Sequence, residues 1–167
     1  MSYKTKTVSE VMTLIDQIYM LHVESKLNFK LIRQIFESGH SRIPVYGNDA
    51  NDIVGLLFVK DLIFVDPEDE TPVINFIHIF GRGVHKVWPD SQLGEVLQLF
   101  KMGRGHLALV NKLSEKGETH TVGLVTLEDI IEEILQDEIV DETDVFGTLK
   151  KLPNIFIEVL NGNVCCS

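Results

Sequence analysis

Cysteine is nearly absent. Of 167 residues only Cys165 and Cys166 carry thiols, adjacent and at the extreme end. That excludes a disulfide framework and a spaced thiolate metal site, and the pair reads as free thiols of a reducing compartment. Long hydrophobic runs are also missing. Nothing approaches the roughly 20 apolar residues of a membrane span. The polar start, Met1–Thr7, lacks the apolar stretch of a signal peptide. From Gly117 to Leu149 there is no Lys or Arg. That stretch holds ten acids: Glu118, Glu128, Asp129, Glu132, Glu133, Asp137, Glu138, Asp141, Glu142 and Asp144. It reads as a solvated helix face running into a linker. Elsewhere 15 acids balance 15 bases, and the net charge is -10. Without clustered cations, nucleic acid is not an expected partner.

Catalytic signatures are lacking as well. Gly81-Arg82-Gly83 and Gly103-Arg104-Gly105 are not phosphate loops, because no Gly-Lys-Ser/Thr follows them. The six histidines have no metal-ligand spacing, and no nucleophile elbow or Cys/His nucleophile pattern occurs. Glu132 and Glu133 are neighbours on a helix and face different ways, so they form no carboxylate pair. The expectation is a binding module and not an enzyme.

What the chain does have is 44% apolar residues, enough for a core, and an internal repeat. Gly55-Leu-Leu-Phe-Val-Lys-Asp61-Leu-Ile matches Gly123-Leu-Val-Thr-Leu-Glu-Asp129-Ile-Ile, 68 residues later. Gly39-His40, followed by Ile43-Pro44-Val45, matches Gly105-His106, followed by Ala108-Leu109-Val110. Helical spacing precedes each Gly-His: Leu27, Leu31, Ile35 and Phe36, then Leu93, Val96, Leu97 and Phe100. Ser25 and Asp90 or Ser91 are the expected N-caps. The expected strands are Ile43–Tyr46, Ile53–Val59, Ala108–Asn111 and Thr121–Thr126, with turns at Gly47–Asp52 and Lys112–His120. Trp88 and Pro89 read as strand and packing residues. Each half is helix, strand, turn, strand, helix, and a unit of about 60 residues buries too little surface alone. The fold class is therefore α/β (α+β): two small sheets packed with helices, related by a pseudo-twofold axis, with a cleft between them. Residues 1–68 form the first motif with an N-terminal helix, 69–142 the second, and 143–167 a linker or tail. Val65–Pro72 connects the repeats, and Phe146–Val159 reads as an extra strand or a linker.

Val11-Met12-Thr13, Gly39-His-Ser-Arg-Ile-Pro-Val45, Lys60–Asp69 and Gly123–Ile134 resemble the tandem CBS motifs of the cyclin-M (CNNM) family and, more distantly, of the bacterial CorC proteins. The resemblance covers about Thr5–Glu142. It implies a regulatory CBS pair, or Bateman module, that binds ATP with Mg²⁺, with AMP or ADP as alternatives. It also implies a homodimer, attachment to the rest of a membrane transporter chain for magnesium or other divalent cations, and a place at the cytosolic face of a membrane, expected to be the plasma membrane. Helix Leu127–Leu135, with Ile130, Ile131, Ile134 and Leu135, offers apolar surface for the dimer. The alternative implied role is a platform for a phosphatase of regenerating liver. The loop that would carry that contact, Lys112–His120, is short and lacks an aromatic tip.

By the same resemblance, Asp129 takes the ribose hydroxyls, and a carboxylate is suited to accept two O–H bonds. Thr126 stands at a helix start that favours phosphate. Glu128 lies beside the phosphates, with magnesium carried by ATP and no direct protein ligand. Thr126-x-x-Asp129 also reads as a capping box, and the two roles are compatible. The adenine side falls on Thr13, Leu14, His40, Ser41, Arg42, Ile43 and Pro44. Leu14, Ile43 and Pro44 would supply apolar surface, His40 would stack and Arg42 would pair with phosphate. Ile43 reads equally as core, and His40 as an ordinary loop residue. Many relatives have Pro at Leu14 and an aromatic at His40. Phe58 stands where the second repeat has Thr126, so Asp61 is expected to serve no nucleotide.

Overall fold

The computed structural model describes residues 5–103 and 105–141. The expected tail 143–167, with Phe146–Val159, Cys165 and Cys166, lies outside the described residues.

Two sheets carry the repeat. In the first, β2 (Leu21–His22), β3 (Arg42–Tyr46) and β4 (Ile53–Phe58) lie in that order. In the second, the order is β1 (Thr13–Leu14), β7 (Thr119–Thr126), β6 (Leu107–Leu113) and β5 (His85–Val87). Each sheet contains an antiparallel hairpin, β3–β4 or β6–β7, flanked by a short parallel strand, β2 or β5. Four helices accompany them: α1 (Phe29–Ser38), α2 (Val73–Phe80), α3 (Leu93–Gly103) and α4 (Leu127–Asp141).

Strand alternation divides the side chains between a helix-facing core and the space between the sheets. Ile43, Val45 and Leu57 join Leu27, Ile35 and Phe76 in the first core. Ala108, Val110 and Val125 join Val96, Phe100 and Ile130 in the second. The alternate residues Leu56, Leu107, Leu109 and Leu124 form a third cluster, to which both sheets contribute. The chain crosses between units. Val8 packs in the second core, and its N–H reaches the Ser91 carbonyl at 2.9 Å. Val73, Phe76 and Ile77 of α2 pack in the first core.

Several local expectations are corrected. α1 is capped by Asn28, whose side chain accepts the Leu31 N–H at 3.0 Å, and not by Ser25. It ends at Gly39, whose φ of 72° suits glycine. α3 begins at Leu93, where Glu95 accepts the Gln92 N–H at 3.3 Å. Ser91 instead accepts the Trp88 N–H. Trp88 follows β5 and is half-exposed. The second hairpin is longer than expected, which shortens its turn to Ser114–Glu118 around Gly117 at φ 80°.

The apolar face of α4 is also reassigned. Ile130 and Ile134 are buried in the chain's own core, each contributing roughly 1.5–3 kcal/mol. The exposed apolar side chains lie on the first unit instead: Phe29 and Phe36 on α1, Ile63 and Phe64, and Ile79 on α2. Phe64 stacks on Phe80 at 5.5 Å. No described helix is long and apolar enough to cross a membrane.

Candidate nucleotide-binding cleft

Thr126 ends β7 and caps α4. Its hydroxyl accepts the Asp129 N–H at 3.2 Å and donates to Asp129 Oδ2 at 2.7 Å, and its own N–H donates to Oδ2 at 2.8 Å. The capping box is therefore formed, with Asp in place of the usual Glu. Oδ1 makes no hydrogen bond among the described residues. The box fixes the carboxylate where free N–H groups and the helix dipole favour an anion.

Register shows which way these side chains face. Leu124 belongs to the cluster between the sheets, and Thr126, two residues on, shares its face. Thr13 stands opposite Leu124 in β1 and faces the same way. Gly123 permits this approach, because a Cβ there would lie 2.5 Å from the Thr13 carbonyl oxygen. Leu14, opposite Gly123, falls on the other face and is half-exposed. It was expected to supply apolar surface beside Thr13, but the pleat separates the two.

On the first sheet, Arg42 pairs across with Phe58 and Pro44 with Leu56, on the face toward the second sheet. Ile43 alternates to the other side and is fully buried in the first core, so only its backbone is available to a ligand. His40 follows the helix-ending Gly39 and stacks on Tyr19, 5.9 Å away with 19° between the rings. Sequence reasoning did not single out Tyr19.

A cavity of about 810 Å³ lies between the two units. His40, Ser41, Arg42 and Glu128 line it, as do Phe58, Lys60, Arg82, His85 and His106. Thr13, Pro44, Thr126 and Asp129 are not among its lining residues. The sequence-derived set thus divides into a group on the β1–β7–α4 side and a group within the cavity. Arg82, Lys60, His85 and His106 were missed. The sequence signal was the paired Gly-Arg-Gly and Gly-His segments, which were judged only against phosphate-loop patterns. The imidazole of His85 occupies the space that a Cβ at Gly103 or Gly105 would need.

The repeats differ where they should match. Asp61 is the counterpart of Asp129, but the 3₁₀ helix Val59–Phe64 that carries it has no side-chain cap. Asp61 is buried and faces Arg82, whose guanidinium lies 3.6 Å from Oδ2. Among the described residues, no three His, Cys, Asp or Glu converge to hold a metal ion.

The CBS-domain family model matches residues 3–68 and 77–136. The chain belongs to the CBS-domain family, as a tandem pair. Over 151 residues it is 42% identical to the metal transporter cnnm-1 of Caenorhabditis elegans. That match covers 87% of this chain and 19% of the transporter, so the chain spans about a fifth of the relative's length. Among solved structures it is similar to the CBS domain of a bacterial CNNM/CorC family Mg²⁺ transporter in complex with ATP. The TM-score is 0.67 and the identity 29%, covering 80% of this chain and 89% of that one. It also resembles a CBS-domain pair from Klebsiella pneumoniae with bound AMP, with a TM-score of 0.61 and 26% identity, covering 77% of this chain and 98% of the other. The CBS pair is of the CNNM/CorC type, with the expected mix of small sheets and helices.

Proposed function

We propose that this CBS pair is the regulatory module of a magnesium or divalent-cation transport protein and binds one adenine nucleotide, ATP with Mg²⁺. The observation that carries this reading is the Thr126–Asp129 box at the start of α4. It shares a sheet face with Thr13 and lies beside a cavity lined by Arg42 and Glu128. Asp129 Oδ1 is left for ribose, and the α4 N-terminus and Arg42 for phosphate. His40, Ser41 and Pro44 border the base, and Ile43 contributes backbone only. ATP- and AMP-bound relatives of the same fold support the ligand class. The role is binding, at the cytosolic face of a membrane.

A second copy of this chain is the proposed occupant of the exposed face formed by Phe29, Phe36, Ile63, Phe64 and Ile79. These large apolar side chains on adjoining elements are more than a soluble monomer ordinarily leaves to water, and a twofold pairing covers them once each. Light scattering should give twice the 18.9 kDa chain mass, and Phe64→Glu with Ile79→Glu should return it to the monomer. No structural feature favours the phosphatase platform, since the hairpin turn Ser114–Glu118 is short.

Titration calorimetry with ATP and AMP tests the nucleotide reading. One site per chain is expected. No heat with either nucleotide, or two equal sites, contradicts it.

A further inference from the structure

The cavity carries more positive charge than its surroundings explain. The chain has a net charge of -10, yet Arg42, Lys60 and Arg82 line this cavity against one acid, Glu128. His40, His85 and His106 add neutral or cationic nitrogen donors. Among the described residues, Arg42 and Lys60 form no ion pair. Cations held around a concave space without carboxylate partners are the complement of a multiply charged anion.

Arg82 is the least expected member. It lies between Gly81 and Gly83, and its guanidinium sits 4.6 Å from the centroid of Phe58. The Arg42 guanidinium lies 5.6 Å from the same centroid, so at most about 10 Å separates the two cations. Asp61 holds Arg82 through one oxygen at 3.6 Å. A guanidinium has five N–H donors in a planar fork, and this single long contact leaves most of them unused. Arg82 is half-exposed, whereas Asp61 is buried.

We propose that the first repeat's inactive nucleoside position has become an anion reader. Phe58 and Asp61 hold Arg82 facing Arg42, and Arg82 engages the terminal phosphates of a polyphosphate ligand. Arg82 is thus a specificity-determining residue that separates nucleoside triphosphates from monophosphates, and Asp61 is its positioning residue. The nucleotide form of this proposal rests on the reading above, while the cavity's affinity for a polyphosphate does not. A terminal phosphate of bound ATP and a free polyphosphate present the same chemistry, so both are tested.

The experiment is calorimetry on the full chain with Mg-ATP, AMP and inorganic tripolyphosphate, for the wild type, Arg82→Ala, Arg82→Lys and Asp61→Asn. Arg82→Ala should weaken ATP and tripolyphosphate about tenfold and leave AMP within about twofold. Arg82→Lys should recover part of the loss, because a point charge replaces the fork. Asp61→Asn should weaken ATP by less than Arg82→Ala. Equal weakening of AMP and ATP would mark Arg82 as merely structural and overturn the proposal, as would an unchanged ATP-to-AMP ratio. Arg82-dependent tripolyphosphate binding without nucleotide binding would sink the nucleotide reading and support the anion site. Nucleotide binding indifferent to Arg82 would do the reverse.

Discussion

Arg42 stands opposite Phe58 across the β3–β4 ladder, with its guanidinium carbon 5.6 Å from the ring centroid. At the matching point of the second hairpin, Leu107 stands opposite Thr126. One half therefore offers a cation on an aromatic platform, and the other a hydroxyl at a helix start. The pseudo-twofold axis relates backbones, but it does not relate chemistry. Two half-sites of different character face one cleft, which favours a single ligand with unlike ends.

Asp129→Ala should therefore have two separable effects. Losing charge-assisted ribose contacts of about 1.5–3 kcal/mol should weaken nucleotide binding about tenfold to a hundredfold. Losing the cap should cost about 1 kcal/mol of stability. Calorimetry reads the first and thermal unfolding the second. A stability loss with unchanged affinity would leave Asp129 as a cap alone. Asp61→Ala should leave AMP affinity unchanged.

Gly123→Ala tests whether β1 belongs to the site. A Cβ at Gly123 would meet the Thr13 carbonyl oxygen at 2.5 Å, which is backbone and cannot swing aside. The strand pair should open, at a cost of about 1–3 kcal/mol as for other overpacked positions. Nucleotide affinity should fall with it, as Thr13 leaves the face it shares with Thr126. Unchanged affinity in a folded variant would remove Thr13 from the site.

The two hairpins, the helices before them and the Thr126–Asp129 motif were legible in the sequence, because each repeats at a fixed offset with its own periodicity. β1, β2 and β5 were not. Strands of two or three residues are too short to show alternation, and pairing with β7, β3 and β6 defines them. α2 was missed because Val73–Phe80 is almost uniformly apolar and has no amphipathic signature. Ile43 and Leu14 were assigned to the wrong surface for one reason. Resemblance locates a segment, whereas the pleat decides which alternate residues face the cleft. Arg82 was invisible because its partners, Phe58 and Asp61, lie more than 20 residues away in sequence.

Acid should loosen the segment that leads into β1. Glu10 accepts the Thr7 N–H at 2.6 Å and the Thr7 hydroxyl at 3.0 Å. These bonds hold its carboxyl below the ordinary value of 4.5, the backbone bond contributing most. A lowered folded-state pKa adds stability above the unfolded value, and that stability is lost as pH falls through the folded one. Glu10→Gln should therefore melt lower than the wild type at neutral pH, with the gap closing below about pH 4. A gap that persists in acid would mean that the carboxylate charge is not what the turn uses.

Magnesium should tighten ATP binding and leave AMP binding unchanged. Free ATP carries roughly four negative charges at neutral pH, and a bound Mg²⁺ cancels two. Glu128 lines the same cavity as Arg42, Lys60 and Arg82. Two like unit charges about 6 Å apart repel by roughly 3 kcal/mol at an effective dielectric near 20, before salt screening. Even half of that exceeds the roughly 1.4 kcal/mol of a tenfold change in affinity. The three cations offset part of the phosphate charge whether or not magnesium is present, so the magnesium dependence isolates the Glu128 contribution. No cluster of metal ligands occurs among the described residues, so the ion would enter on the phosphates with most of its water retained. Linkage then requires ATP to raise the apparent magnesium affinity by the same factor. Calorimetry with ATP and AMP, in magnesium and in EDTA, measures the effect. Glu128→Gln should bind ATP more nearly equally in the two buffers. An unchanged magnesium requirement in that variant would count against charge shielding at Glu128, and equal wild-type affinity in both buffers would remove magnesium from the ligand altogether.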